Sequence, residues 1–392
     1  MTPQARVQAA IEILDLVIAA ARANGAPADR IVSEWFRTRR FAGSKDRRAV
    51  RELVYLAIRA CGPVPDDGRA AMLRVAQDDA TVASLFDGSP HAPAPIDAGE
   101  DAAEGGVAPA WLETALAESG VAGGDALALL ERAPLDLRIN TLKADPATLE
   151  LPLPGEPAPA RHSLRFPYGT QVEAWDAYTC GQIEVQDAGS QLVCSALAVQ
   201  PGALVIDLCA GAGGKTLGLA AAMANRGRLI ACDVDRPRLS KLEPRAVRAG
   251  VTIAETRLLD PNREAAALAD LMGQADAVLV DAPCSGTGTW RRNPEARWRL
   301  TPDQLARYVA IQARLLDLAA GLVRPGGRLG FVTCSLLDAE GAVQAAGFLA
   351  RHPEWQAETL DLGAGEARGP GFRLSPARDG TDGFFVACFQ KR

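Results

Sequence analysis

Apolar residues recur every three or four positions near the start of the chain. Val7, Ala10, Ile11, Leu14, Val17 and Ile18 share one face and predict a helix over residues 5–22. The same spacing returns in Val50, Leu53, Val54 and Ile58, which predicts a second helix from Arg47 to Arg59. The pattern stops at DGSPHAPAPIDAGEDAAEGGVAP, residues 87–109, where Pro, Gly and acids predict a solvated linker or a long loop. Residues 111–132 read as helical again, so residues 1–130 form a helical domain.

From Leu135 the period changes. Leu135-Asp-Leu-Arg-Ile-Asn-Thr-Leu142 alternates as a strand does, and the Pro-rich stretch to Pro159 suggests a small α+β insert over 131–175. Gln186-Asp187 can cap a helix at 188–199. Thereafter strand-like runs at 203–208, 228–233, 251–258, 275–281, 327–334, 355–360 and 383–389 alternate with helical ones. Seven strands with intervening helices predict an α/β domain over 176–392, built on a mostly parallel, doubly wound sheet. Such a sheet binds ligands outside the carboxyl ends of its strands.

Length and composition narrow the picture. At 392 residues, two or three domains of roughly 150 residues are expected. No apolar run reaches the roughly 18 residues of a membrane span, and Met1-Thr-Pro-Gln-Ala-Arg6 lacks the basic-then-apolar order of a secretion signal. A cytoplasmic monomer with no membrane partner is the expectation. The eight Cys and three His are scattered with no C-x-x-C, which predicts reduced thiols and no metal. The net charge of −6 speaks against a polyanionic partner until its distribution is read. Residues 1–60 carry 11 Lys/Arg against 6 Asp/Glu, residues 61–136 carry 3 against 14, and residues 285–330 carry 8 against 3. Two basic zones flank an acidic middle.

The stretch DLCAGAGGKT, Asp207–Thr216, ends like a phosphate-binding loop, but Cys209 stands where the first Gly of Gly-x-x-x-x-Gly-Lys-Thr belongs. A nucleoside triphosphate is disfavoured. The last residues of four strands are Asp207, Asp233, Asp281 and Cys334, which a parallel sheet brings to one rim. Carboxylates gathered there repel one another unless a hydroxyl, amine or cation lies between them. Asp233, at the end of the second strand, is placed to bind ribose hydroxyls. A nicotinamide dinucleotide is disfavoured because Gly211-x-Gly213-x-x-Thr216 lacks the third Gly and Asp207 would repel its phosphates. An adenosine that carries a cation and no phosphate fits best, and S-adenosylmethionine is that molecule.

PLDLRINTLKA (134–144), VQDAGSQLV (185–193), DLCAGAGGKT, VDAPCSGTGTWRRNPEARWRL (280–300), VTCSLL (332–337) and DGFFVACF (382–389) resemble in order the RNA (cytosine-5-)-methyltransferases of the Sun family. The bacterial ribosomal-RNA type of that family carries a NusB-like helical domain, which residues 1–60 resemble more weakly and which implies that residues 1–130 bind RNA. The resemblance implies a Rossmann-like methyltransferase domain and an RNA substrate, 16S ribosomal RNA ahead of transfer RNA. It further implies that Cys334 is the nucleophile toward carbon 6 of cytosine, that Asp281 bonds or protonates N3, and that Cys284 assists release of product. Cys209, Ala210, Gly211, Ala212, Gly213, Gly214, Lys215, Asp233, Asp260 and Asp281 would line the cofactor site. The pair Gly211-Ala212 departs from the Ala-Pro of the family's usual loop.

Cys194 and Cys388 read as small buried hydrophobes. Trp290, Arg291, Arg292, Arg297, Trp298 and Arg299 interleave aromatic and basic residues and are expected to hold RNA, with further contacts from Arg138 and Asn140. Two rival readings are weaker. An amino-group methyltransferase would carry an aromatic where DAPC has Cys284, and a non-catalytic RNA-binding module would have no need of Cys334 or the rim acids.

Overall fold

A computed structural model describes all 392 residues. The chain divides into two compact units: residues 1–131 with 289–301, and residues 132–288 with 302–392. The chain therefore leaves the second unit just after the strand-end motif that begins at Asp281, contributes thirteen residues to the helical unit, and returns at Pro302.

The helical unit is built on Pro3–Arg22, Ala28–Arg37, Ser44–Ala60, Gly68–Asp78 and Ala110–Glu118. Thr2 caps the first helix by accepting from the Ala5 amide at 3.2 Å. Val7, Leu14, Val17 and Ile18 of that helix are buried as the pattern predicts, and they pack with Val50, Val54 and Ile58. The helices at 28–37 and 68–78 were not among the predicted elements, although Ala28, Ile31, Val32, Trp35 and Phe36 of the first share one buried face at helical spacing. The helix predicted over 111–132 ends at Glu118 and resumes only as the short turn Gly124–Leu127. Residues 87–109 form a loop, but not a free linker. Arg69 bonds the Glu100 carboxylate and the carbonyls of Ala94 and Pro95, while the Ala103 amide donates to Ala70 O at 3.0 Å. Glu100 and the backbone of the loop are thus tied to the helix Gly68–Asp78. No helix in the structure is long and apolar enough to cross a membrane.

The second unit opens with a four-stranded sheet: β1 (Leu135–Ile139), β2 (Glu156–Pro157), β3 (Ser163–Phe166) and β4 (Ile183–Val185), in the order β2-β3-β1-β4. The insert thus extends past its expected boundary at 175, because Ile183 and Val185 pair with β1. Asp136 on β1 anchors it, binding Arg165 through both oxygens and accepting from the Ala188 amide at 3.0 Å.

The main sheet contains β5 (Leu204–Asp207), β6 (Arg228–Asp233), β7 (Ala254–Leu258), β8 (Ala275–Asp281), β9 (Val323–Thr333), β10 (Trp355–Ala357), β11 (Glu366–Arg368), β12 (Gly371–Leu374) and β13 (Phe384–Lys391). Its order is β11-β12-β13-β9-β8-β5-β6-β7, with β10 beside β13. Nine strands replace the seven expected, and only β5 to β9 are parallel to one another. The hairpin β11–β12 escaped detection because its strands are three and four residues long. The parallel strands β5, β6 and β8 are buried on both faces, which is why β8 reads AVLV without alternation. After β5 the chain builds outward through β6 and β7, then crosses back to add β8 and β9 on the other side. The reversal falls between β5 and β8, where Asp207 and Asp281 end adjacent strands.

Candidate active site

β5 leads through Cys209–Gly213 into the helix Gly214–Ala222, so this turn must reverse the chain at the sheet rim. Gly213 has φ +87°, and a Cβ there would lie 2.6 Å from Leu242, so only glycine serves. The turn is fixed from outside: the Gly211 amide donates to Asp233 Oδ2 at 2.7 Å, and Arg245 donates to Ala212 O at 2.7 Å while pairing with Glu184. Asp233 is buried at the end of β6, its second oxygen accepting from the Asp235 amide. Asp260 stands exposed beyond the end of β7.

Asp207 is fully buried. Its Oδ2 accepts from the Thr216 hydroxyl at 2.7 Å, whereas Oδ1 has no hydrogen-bond partner. Burial pushes its carboxyl up to about 7; the Thr216 bond opposes the shift and the nearby Asp281 charge adds to it. Lys215, in the first turn of the following helix, reaches Asp281 Oδ2 at 2.7 Å and lies 5.5 Å from the Phe384 ring centroid. Burial alone would lower the Lys215 pKa, but the attraction of Asp281 outweighs it and the ammonium is held above its ordinary value.

Two loops meet beside this ion pair. Ala282–Gly288 follows β8 and Cys334–Leu337 follows β9, strands that lie side by side. They bring the Cys284 and Cys334 sulfurs to 3.3 Å, with both thiols free and half-buried. The hydrogen bond to Cys334, together with burial, pushes the Cys284 thiol well above the ordinary range. The Cys284 thiol therefore holds its proton more firmly than a free cysteine does.

The loops are held by groups that periodicity and motif did not single out. Glu340 is fully buried: it accepts from the Ser285 amide at 2.9 Å, from the Ser285 hydroxyl, and from Gln312 at 3.0 Å. Gln312 also donates to Pro283 O. Ser335 bonds Ser285 and Thr287, both at 3.1 Å, and Thr287 accepts from the Leu336 amide. A signal for Gln312 was present, since it lies in register with the apolar face Leu315, Leu316 and Ala319 of its helix. Gly288 approaches Gly383 so closely that a Cβ on either would collide with the other's backbone, which fixes the loop against the start of β13.

The structure assembles Asp207, Asp233, Asp281, Lys215, Cys284 and Cys334 along one rim. The expected RNA contacts are corrected for Arg138, Asn140, Arg291 and Arg297, whose side chains are buried. Arg138 and Asn140 are buried: Arg138 bonds Gln186, while Asn140 donates to Gly181 O and Ala249 O. Arg291, Arg297 and Trp298 are buried in the helical unit. Arg297 donates to Ile58 O and Cys61 O, and Arg299 to Ala20 O, Gly25 O and Ala26 O, so these guanidiniums cap helix carboxyl ends. Arg292 is half-buried. Cys194 and Cys388 are buried, and burial pushes both thiols up to about 12. No group of three or more His, Cys, Asp or Glu is arranged to hold a metal ion.

A family model described as 16S rRNA methyltransferase RsmB/F matches residues 194–390. The ribosomal RNA small subunit methyltransferase B of Xanthomonas campestris pv. campestris is 36% identical over 269 residues, 66% of this chain and 60% of that protein. Alignments with such curated relatives span between about half and three fifths of the relatives' own length. Among solved structures, the protein titled PH0851 covers 100% of this chain and 99% of its own at 26% identity and a TM-score of 0.75. NSun6 from Pyrococcus horikoshii, solved with SFG, is 28% identical over 57% of this chain and 56% of its own, with a TM-score of 0.51.

Proposed function

Because the chain belongs to the RsmB/F family of methyltransferases, we propose that it methylates carbon 5 of a cytosine in RNA, with 16S ribosomal RNA the favoured substrate and S-adenosylmethionine the cofactor. One observation carries the reading: two free thiols 3.3 Å apart stand beside the Lys215–Asp281 pair at the carboxyl ends of adjacent parallel strands.

The donor set suits the cofactor. The turn Cys209–Gly213 has no anionic side chain and ends at the amino end of a helix, which favours a ligand carboxylate. Asp233 retains acceptor capacity for ribose hydroxyls, and Asp260 lies further along the same rim. The carboxylate of Asp281, with Asp233 further along, makes the rim hospitable to a sulfonium and hostile to phosphate. When bound, S-adenosylmethionine supplies the methyl group that carbon 5 takes.

Carbon 5 of cytosine is too weak a nucleophile to take a methyl group unaided. The Cys334 thiolate adds to carbon 6, forming a C–S bond and shifting the ring's electrons toward N3 and carbon 5. Asp281 passes to N3, as negative charge gathers there, a proton drawn from the Lys215 ammonium that donates to it, and takes that proton back when the ring is restored. After carbon 5 is methylated, its proton passes to solvent water, the C6–S bond breaks, and the aromatic ring and the Cys334 thiolate are restored. Cys284 holds a proton 3.3 Å from that sulfur and stabilises the thiolate as it leaves.

Two measurements test the reading. Tritiated-methyl transfer to transcripts of 16S ribosomal RNA and of transfer RNA would identify the substrate class. Bisulfite sequencing of RNA from cells with and without the gene would locate the cytosine. Methyl incorporation at a base nitrogen, or at no RNA position, would overturn the assignment.

A further inference from the structure

A cavity of about 420 Å³ opens between the four-stranded sheet, the helix Ala188–Ser195 and the carboxyl half of the helix Gly214–Ala222. It shares no lining residue with the rim that carries Lys215, Asp281 and the two thiols. Arg138, 9% exposed, forms part of its wall. The Arg138 Nε donates to Gln186 Oε1 at 2.8 Å and Nη1 reaches Leu217 O at 3.5 Å, whereas Nη2 makes no hydrogen bond. No carboxylate answers this charge. Glu184 stands opposite Arg138 in register, but its two oxygens accept from Arg245 and Arg248. Three arginines thus surround one acid, and burial pulls the Arg138 guanidinium below its ordinary pKa.

The rest of the lining has the same bias. Arg161 and His162 have no side-chain partner, and no acid lines the cavity. His162 has φ +60°, a left-handed backbone uncommon for a residue with a side chain. That turn lets two consecutive basic residues line one cavity, where an extended strand would point them to opposite faces. Gln186, Gln191 and Ser195 add neutral hydrogen-bonding groups, and Gln191 Oε1 is left without a donor. No Phe, Tyr or Trp is present to stack a nucleobase.

Folding alone does not ask for this arrangement. A buried guanidinium without a counter-ion is a net cost that an apolar residue of similar volume avoids. What the cavity lacks is an anion, and phosphate oxygens match the fork of a guanidinium. The space is far more than a bare phosphate fills, and the neutral groups suit hydroxyls. We propose that this cavity binds a small phosphate monoester with free hydroxyls, of the sugar-phosphate class, its phosphate on Arg138 and Arg161 and its hydroxyls facing Gln191 and Ser195. Such a site is independent of methyl transfer, so either can fail alone.

The test is calorimetric titration of the full chain, without RNA, by ribose 5-phosphate, ribose and inorganic phosphate. The ester should bind at one site per chain, about tenfold or more tightly than inorganic phosphate, and ribose should give no saturable heat. Arg161→Ala, at an exposed position, should weaken the ester about tenfold with melting unchanged, the worth of one charge-assisted hydrogen bond. Arg138→Met should abolish binding. Should that variant fail to fold, Arg161→Glu, which sets a carboxylate beside the phosphate, must abolish it instead. No saturable binding, equal affinity for the ester and inorganic phosphate, or wild-type affinity in the variants would overturn the site. So would displacement of ribose 5-phosphate by S-adenosylmethionine or by single-stranded RNA, which would move the phosphate to the rim or to an RNA path.

Discussion

The Sγ atoms of Cys284 and Cys334 lie 3.3 Å apart, within hydrogen-bond reach, delivered by loops that follow neighbouring parallel strands. Cys284 keeps its proton because its hydrogen bond to Cys334 and its burial both oppose ionisation. Cys334→Ala should abolish methyl transfer while cofactor binding, measured by calorimetry, persists. Undiminished transfer would remove Cys334 from the mechanism.

Cys284→Ala tests the other half of the pair. Addition to carbon 6 and methylation need only Cys334, whereas expulsion of the sulfur loses its proton-bearing neighbour. The variant should accumulate RNA covalently attached through Cys334, seen as a retarded band on a denaturing gel and absent from the double variant. A variant that turns over normally and forms no adduct would make Cys284 structural.

The ion pair Lys215–Asp281 predicts a separate kinetic signature. Asp281→Asn keeps the shape of the side chain but removes the charge that Lys215 orients. Single-turnover methyl transfer should fall about 10²- to 10⁴-fold, the usual worth of a positioned acid or base. The loss should persist at saturating cofactor. Full recovery at high cofactor concentration would confine Asp281 to cofactor binding.

The rim was legible because parallel strands must end together: reading off the last residue of each strand placed Asp207, Asp233, Asp281 and Cys334 on one edge before any coordinates. The helical faces around Val7–Ile18 and Val50–Ile58 were legible for the same kind of reason, since one period fixes one buried stripe. What escaped was set by partners remote in sequence. Arg297 looks like a phosphate ligand until Ile58 O and Cys61 O, more than two hundred residues earlier, are found in front of it. Glu340 looks like a solvated acid until Ser285 and Gln312 close around it. Local charge does not reveal whether a cation will meet water or a helix end.

Asp207 links the rim to stability. Its folded-state pKa of about 7 lies above the roughly 3.9 of an unfolded Asp. Folded protein therefore binds more protons between those values, and its stability falls as pH rises through that window. The stability associated with this group is fully present below about pH 4 and gone above about pH 7, a span of the order of a few kcal/mol. Asp207→Asn cannot ionise, so it should gain on the wild type between pH 5 and pH 8 when both are unfolded by urea without cofactor. A gap independent of pH would mean that Asp207 is ionised throughout.

The last prediction concerns the segment 289–301, because the structure reverses what its composition suggests. Arg297 is fully buried, and burial lowers its pKa, so its charge is tolerated only because three main-chain carbonyls, of Ile58, Cys61 and Pro294, accept from it. Arg297→Met leaves those carbonyls without their donor and frees the carboxyl end of Ser44–Ala60. The cost should be about 2–4 kcal/mol, the range for unsatisfied buried polar groups combined with a lost helix cap. If the arginine is structural, the variant melts earlier while the salt dependence of RNA binding keeps its wild-type slope. If it meets phosphate, the slope drops by roughly 0.7 and melting is unaffected. Titrating RNA at several salt concentrations beside a denaturation curve separates the two outcomes. We expect the first, because a guanidinium with no exposed surface has nothing to offer a phosphate until the helical unit opens.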